Sequence, residues 1–378
     1  MKLIPLAAAL SVILTSQAQA ATVYEKDGTN LDLFGRINAM YLSDSASRHV
    51  KGSKNINKNS SDPAIQTTVY FGVAGRSQLS DNVYAIGYTE WLMPTGSNGD
   101  NSISARAQYV GIDAQQYGTL TFGRGDNAFY TVAGVTDIYQ ELDCQVNDHY
   151  AFGDYQPGLI MYSLSALGWD FRLSYQTAQD NVNNTNINIH NGASFAVATR
   201  LDNGIGIAYG VSYYYLQPDN NQVMAKEFSP HIQKMYNLGS SEWDLYAAYA
   251  LRPTYKIDKG VSITYGTFGE GLYAAINGTV TKYNKYTHNL YSYEAVINYS
   301  FENGFSTTLG YGMKRFDGAN IISDLTLGLY YKFNPNFKVF AEASFDVSSK
   351  PDRFYSNAQI SRMALDRNKG LIGAEYAF

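Results

Sequence analysis

The sequence predicts an all-β protein, an antiparallel barrel of sixteen strands that spans a membrane. Three features of its 378 residues lead there. Apolar and polar residues alternate with period two in segment after segment, which gives each strand two different faces. Beyond residue 20 no apolar stretch reaches the ~18 residues a membrane helix needs. Tight turns and long polar segments alternate along the chain, with short periplasmic turns closing one end of a barrel and long extracellular loops the other. A mean hydropathy of −0.26 is compatible with this, because only every second strand residue faces lipid.

The first twenty residues stand apart. Lys2 is followed by the apolar run Leu3 to Leu14, and Ala18-Gln19-Ala20 fits the small-x-small rule for a cleaved export signal. The expected division is a leader, residues 1–20, and a transmembrane β-barrel domain, residues 21–378. The composition has 33 Tyr and 33 Gly against 9 Pro and a single Cys, with no helical periodicity beyond the leader, which argues against a soluble enzyme. Cys144 has no intramolecular disulfide partner. A net charge of −5 argues against a nucleic-acid partner. His49, His149, His190, His231 and His288 lack metal-ligand spacing, so no metal or cofactor is expected.

The strands are legible from alternation. In Leu33 to Ala39 one set is Leu33, Gly35, Ile37 and Ala39, the other Phe34, Arg36 and Asn38. In Trp169 to Tyr175, Trp169, Phe171, Leu173 and Tyr175 share a face opposite Asp170, Arg172 and Ser174. Such aromatic-rich apolar faces suit interfacial girdles. Turns are expected at Ser80-Asp81-Asn82, Gln115 to Gly118, Ala166-Leu167-Gly168, Asp202-Asn203-Gly204, Gly239-Ser240-Ser241, Glu302-Asn303-Gly304 and Asn334-Pro335-Asn336. Long loops are expected at 43–64, 95–103, 125–157, 179–192, 218–227, 252–289, 316–323 and 347–368. Seven turns and eight loops give sixteen strands, with both termini on the turn side. The last strand alternates Ile372, Ala374, Tyr376 and Phe378 outward, and its aromatic end reads as a signal to the barrel-assembly machinery.

Three segments together resemble the general diffusion porins of the enterobacterial outer membrane. They are Val23 to Gly28 with Leu31 to Arg36, then Phe122-Gly123-Arg124 with Thr136-Asp137 and Glu141, and finally Tyr376-Ala377-Phe378. The resemblance implies a homotrimer set among outer-membrane lipids and lipopolysaccharide, with one water-filled pore per subunit for passive diffusion of small hydrophilic solutes and ions. It also implies that the third loop folds into the barrel, where its acidic residues face a basic wall. Asp137 and Glu141 fall on the acidic loop positions, and Arg36 and Arg106 on basic wall positions. Of the other two basic positions, the one in strand 2 is Tyr70 here, and the one in the strand after the loop falls near Asp154 or Tyr155. The family's Pro-Glu-Phe-Gly-Gly stretch is replaced by Gln140-Glu141-Leu142-Asp143-Cys144.

Apart from any resemblance, segment 125–157 holds Asp126, Asp137, Glu141, Asp143, Asp148 and Asp154 and no Lys or Arg. Folded inward, such a segment concentrates cations in a narrow pore; left outside, it is a solvated acidic loop. The expected constriction is Asp137, Glu141 and Asp143 against Arg36 and Arg106, in a cation-preferring pore. Asp170 and Arg172 read as an inner-wall pair. Two alternatives remain open. Tyr70, Tyr155, Tyr139 and Phe34 would form an aromatic track in a sugar-specific porin. His149 beside Asp148, or His288 with Ser292, would serve an outer-membrane barrel hydrolase. Arg124-Gly125-Asp126 is too short a match to indicate adhesion.

Overall fold

In a computed structural model of the chain, the described residues are 20–54, 65–95, 103–142, 146–151, 153–180, 182, 187–218, 254–284, 288–355, 357, 360–361 and 365–378. They form β1 (Ala21–Lys26), β2 (Thr29–Asp44), β3 (Ile65–Ser80), β4 (Val83–Thr95), β5 (Ser104–Asp113), β6 (Thr119–Gly125), β7 (Gln156–Ala166), β8 (Trp169–Gln176), β9 (Ile187–Arg200), β10 (Ile205–Pro218), β11 (Tyr255–Thr267), β12 (Glu270–Tyr283), β13 (Leu290–Ser300), β14 (Phe305–Phe316), β15 (Ala319–Asn334), β16 (Phe337–Asp346) and β17 (Lys369–Ala377). Each strand from β2 onward pairs antiparallel with its successor. β17 returns to β2, from Lys369↔Asp44 to Ala377↔Arg36, and closes a barrel of sixteen positions. Closure leaves no sheet edge facing lipid.

The seventeenth strand arises because the opening segment is a hairpin. Asp27 and Gly28 turn at φ 52° and 72°, and β1 folds back along β2 from Ala21↔Leu33 to Lys26↔Thr29. It occupies the same edge of β2 that β17 has just left. Phe378 exchanges backbone hydrogen bonds of 2.9 Å each way with Gly35 at the junction. Gly35 is required there: a Cβ would come 2.7 Å from the Phe378 ring.

Side chains sort as the alternation predicts. On β8, Trp169, Phe171, Leu173 and Tyr175 are 37–55% exposed toward lipid, whereas Ser174 is 2% exposed and points inward. At the turn end, Tyr299, Phe301 and Phe305, and likewise Tyr331, Phe333 and Phe337, pack with ring centroids 4.6–5.7 Å apart. They form part of an aromatic belt where amphipathic rings are favoured. Among the described residues no helix is long and apolar enough to cross a membrane.

Two expected connections need correction. The predicted 252–289 loop contains β11 and β12, joined at Phe268-Gly269, with Gly269 at φ 89°. The predicted turn at Gly239-Ser240-Ser241 lies outside the described residues; the β11–β12 hairpin supplies the strand pair counted there. Lumen-facing Lys256 and Asp258 gave that stretch the polarity of a loop. Finally, 316–323 is a two-residue turn, Asp317-Gly318, at φ 42° and 76°. That Asp-Gly pair suits the twist of a hairpin.

Candidate functional site: an inward loop facing an arginine–tyrosine wall

Residues 126–142, 146–151 and 153–155, between β6 and β7, fold into the barrel. A single helical turn, α1 (Tyr130–Ala133), docks on the inner faces of β10 and β11. Phe129 and Val132 are fully buried there, and only glycine leaves room for them. A Cβ on Gly260 would stand 2.9 Å from Phe129 Cζ and 3.0 Å from Val132 Cγ1. Gly260→Val should therefore lift α1 from the wall, raising open-channel noise and altering unit conductance. Gly278→Val, where a Cβ meets Tyr293 at a comfortable 3.5 Å, should change neither.

Three carboxylates tie the rest of the loop down. Glu294 on β13 accepts hydrogen bonds from Thr136, from Asn147 N (2.8 Å) and from Asn277 Nδ2 (2.8 Å). Glu342 on β16 accepts the backbone N–H groups of Gln140, Glu141 and Leu142 at 2.6, 3.0 and 2.7 Å, and the Tyr330 hydroxyl at 2.7 Å. Asp148, in the loop, receives Lys314 Nζ (3.1 Å), Lys256 Nζ (3.2 Å) and the Tyr283 hydroxyl (2.7 Å). Burial alone would raise the Asp148 carboxyl, but Lys314 and Lys256 hold it well below the usual carboxylate range.

Opposite the loop lies the wall of β2–β5. The guanidinium of Arg36 sits 4.1 Å over the Tyr70 ring. Arg106 lies 5.5 Å from the same ring and 4.3 Å over that of Tyr155. Arg106 Nη1 pairs with Glu90 at 2.9 Å, and Arg36 Nε lies 3.9 Å from Glu375. Lys338 and Gln140 also hold Glu375, at 3.0 and 2.8 Å. At the neck of the loop, burial raises the carboxyls of Asp126 and Asp154, and for Asp126 the neighbouring Asp154 adds to the effect.

Of the predicted site residues, the structure brings Arg36, Arg106, Tyr70 and Tyr155 into one stack. Asp137 is half-buried and accepts the Tyr130 hydroxyl at 2.8 Å. Glu141 is held by its backbone on Glu342; burial and then the Glu342 charge raise its carboxyl, opposed by Arg36. Asp143 lies outside the described residues. Asp170 accepts a hydrogen bond from Ser165 on β7. Arg172 interacts electrostatically with Asp170, Asp126 and Tyr130.

The aromatic track does not assemble. Tyr139 is buried, with its hydroxyl 2.9 Å from the Thr326 carbonyl, and Arg106 lies over the rings of both Tyr70 and Tyr155. The hydrolase constellations do not assemble either. His149 is buried beside Phe129 and Tyr130, and burial, with Lys256 nearby, lowers its pKa to about 3. Ser292 donates to the Val146 carbonyl at 3.0 Å, and His288 lies 3.5 Å from Asp317 instead.

Sequence reasoning missed Glu90, Glu294, Glu342, Glu375, Lys256 and Lys314. Glu375 was within reach: outward Ile372, Ala374 and Tyr376 place it inward by parity. The same rule applied to β13 and β16 finds Glu294 and Glu342.

A closed antiparallel barrel of sixteen positions, narrowed by an inward loop between charged walls, defines a membrane channel protein. A family model described as Gram-negative porin matches residues 7–349, and the chain belongs to that family, in the outer membrane. Outer membrane protein F of Serratia marcescens is 22% identical over 366 residues, covering 90% of this chain and 91% of the relative. Outer membrane protein S2 of Salmonella typhi is 26% identical over 392 residues, covering 93% and 94%. In fold, the chain is similar to Salmonella typhi OmpF solved in complex with daunomycin, with a TM-score of 0.70 at 18% identity, covering 95% of this chain and 100% of that one. The relatives are porins, which are passive channels, and this sets aside the hydrolase alternative.

Proposed function

We propose that the chain is a cation-preferring diffusion channel for small hydrophilic solutes and ions, working as a homotrimer. Passive diffusion follows from the family; the sign of selectivity is read from the constriction. The observation that carries it is an imbalance of pairing. Among the described residues Asp137 and Glu141 make no ion pair, whereas Arg106 and Arg36 have carboxylate neighbours in Glu90 and Glu375. The loop's field is then the less compensated of the two. Unit charges 4 Å apart interact by about 4 kcal/mol at an effective dielectric of 20, and screening at physiological salt confines the field to about 8 Å. Only groups lining the narrowest section therefore count.

The test is the reversal potential of the purified protein in a planar bilayer under a KCl gradient. A cation-selective potential is expected, and Asp137→Asn with Glu141→Gln should move it toward neutrality; a neutral or anion-selective wild type overturns the reading. pH supplies a second check. Because burial and then the Glu342 charge raise the Glu141 carboxyl, its charge is lost on acidification earlier than that of an ordinary glutamate. That loss begins above the ordinary Glu value of about 4.3. Cation preference should accordingly fall in mild acid, and by less in Glu141→Gln.

Trimerisation is supported by the relatives' fold, one Vibrio cholerae OmpT structure being described as a trimer form. We also propose that residues 1–20 are removed on export, so that β1 begins the mature chain at Ala21. The mass of the membrane-extracted protein checks this. In this reading Phe378 addresses the assembly machinery, and lipopolysaccharide packs around the outer half of the barrel.

A further inference from the structure

Two local irregularities and one register pair converge on the arginine–tyrosine wall. Glu90 pairs with Ala107 but Trp91 with Ala105, so Arg106 is the extra residue of a β-bulge. Tyr155 takes a left-handed φ of 44°, costly for a bulky side chain, with its N–H 3.2 Å from Asp126 Oδ1. Tyr70 stands directly opposite Arg36 in the β2–β3 register. A bulge re-aims a side chain, and strained backbone persists where the surrounding structure enforces it. Here both place rings against guanidinium groups, in the order Arg36, Tyr70, Arg106, Tyr155, at 4.1, 5.5 and 4.3 Å.

We propose that Tyr70 and Tyr155 are the positioning residues of pore selectivity: they hold Arg36 and Arg106 flat on the wall, beside Glu375 and Glu90, and so keep those guanidinium groups from forming ion pairs with the loop carboxylates. Stacking on a ring fixes the plane of a guanidinium and limits where its charge can swing. An arginine freed from its ring has a flexible stem long enough to lean toward Asp137 or Glu141. Selectivity is thereby tuned by two uncharged side chains. The inference rests on the proposed constriction and deepens it.

The test is the reversal potential of Tyr70→Ala/Tyr155→Ala against Tyr70→Phe/Tyr155→Phe, in the full-length protein under the same KCl gradient. The alanine pair carries no change in formal charge. It should lower the cation-to-anion permeability ratio by about twofold or more, as expected when a guanidinium leaves the wall and closes on a loop carboxylate to ion-pair distance. The phenylalanine pair, which keeps the rings, should retain the wild-type ratio. Stepwise insertion currents certify that each variant is a folded pore, and Arg106→Lys, which keeps the charge but not the planar stack, provides an independent variant. An unchanged ratio in the alanine pair and in Arg106→Lys overturns the inference, as does an equal loss in the phenylalanine pair. If Asp137→Asn/Glu141→Gln shifts the potential while the tyrosine variants do not, the constriction stands and the positioning role falls. A wild type without cation preference instead removes the constriction reading itself.

Discussion

Replacing Lys256 by methionine is expected to destabilise the folded barrel by about 3–5 kcal/mol, the usual cost of stranding buried charge. Lys256 is 0% exposed on the inner face of β11. Its ammonium reaches the Asp148 carbonyl at 2.7 Å, the Asp148 carboxylate at 3.2 Å and Asp258 at 3.0 Å. Methionine keeps the length of the stem and removes the cation, leaving two carboxylates facing one another, with Lys314, the Tyr283 hydroxyl and the Thr281 hydroxyl as support among the described residues. Denaturant unfolding of vesicle-inserted protein, followed by tryptophan fluorescence, measures the loss. Lys256→Met/Asp258→Asn should recover part of it, because the second change removes one stranded charge. A single-variant cost under about 1 kcal/mol, within the range of a surface substitution, would show that the cluster contributes little.

The pH dependence follows from the same geometry. The Asp148 carboxyl is depressed in the folded protein, so its pairing contributes stability that is fully present above the unfolded Asp value of about 3.9. It is lost as pH falls toward the folded value. In Lys256→Met the depression weakens, and protonating the remaining pair relieves repulsion. The gap between variant and wild type should therefore narrow on acidification, and a gap that widens would contradict the assignment.

Glu342→Ala is expected to release the tip of the inward loop without unfolding the barrel. One carboxylate accepts three successive backbone N–H groups, from Gln140, Glu141 and Leu142, together with the Tyr330 hydroxyl. Hydrogen bonds to a charged acceptor contribute roughly 1.5–3 kcal/mol each, so the tip is held by several kcal/mol from this side chain. Once it is lost, the 136–142 stretch keeps Glu294 at one end and two single hydrogen bonds, from the Tyr139 hydroxyl to the Thr326 carbonyl and from Gln140 Nε2 to Glu375. Single-channel recordings should show frequent closures and a lower voltage threshold for closing, while denaturation of the barrel shifts little. Glu342→Gln should fall between, since an amide presents one acceptor oxygen and turns its NH2 against the remaining donors. Quiet, wild-type channels from Glu342→Ala would mean that the loop is held by its other contacts instead, α1 on Gly260 among them.

Both predictions rest on residues that sequence reading did not single out, and the cause is physical. Alternation reports which side of a strand is polar; it does not report which other strand lies across the lumen. Glu342 and Gln140 are 202 positions apart, and Lys256 and Asp148 are 108 apart. Their encounter depends on the curvature of the closed sheet and on the path of the loop. The same limit produced the error at 252–289: with its inner face filled by Lys256, Asp258 and Ser262, β11 resembles a loop by composition. Its outward residues Val261, Ile263 and Tyr265, 43–48% exposed, carry the strand signal.

What the sequence determined by itself was the class of the protein and the face of most strands. Period-two alternation, Asn-Gly and Asp-Gly turns and an aromatic terminus are local properties, set by backbone geometry within a few residues. It also supplied the acidic segment, whose inward path only the resemblance of Phe122 to Glu141 to the porins implied. Only the tertiary structure decided which charges meet. It brought Asp148 to two lysines, gave Glu342 to the loop backbone, turned Tyr139 into the wall and stacked Tyr70 and Tyr155 on the arginines. Those contacts arise because closing sixteen positions around one lumen forces inward side chains from distant strands into a small, partly dehydrated volume. There an unpaired charge is costly, and carboxylates such as Asp148 and Glu342 settle on the cations or N–H groups that the barrel brings across.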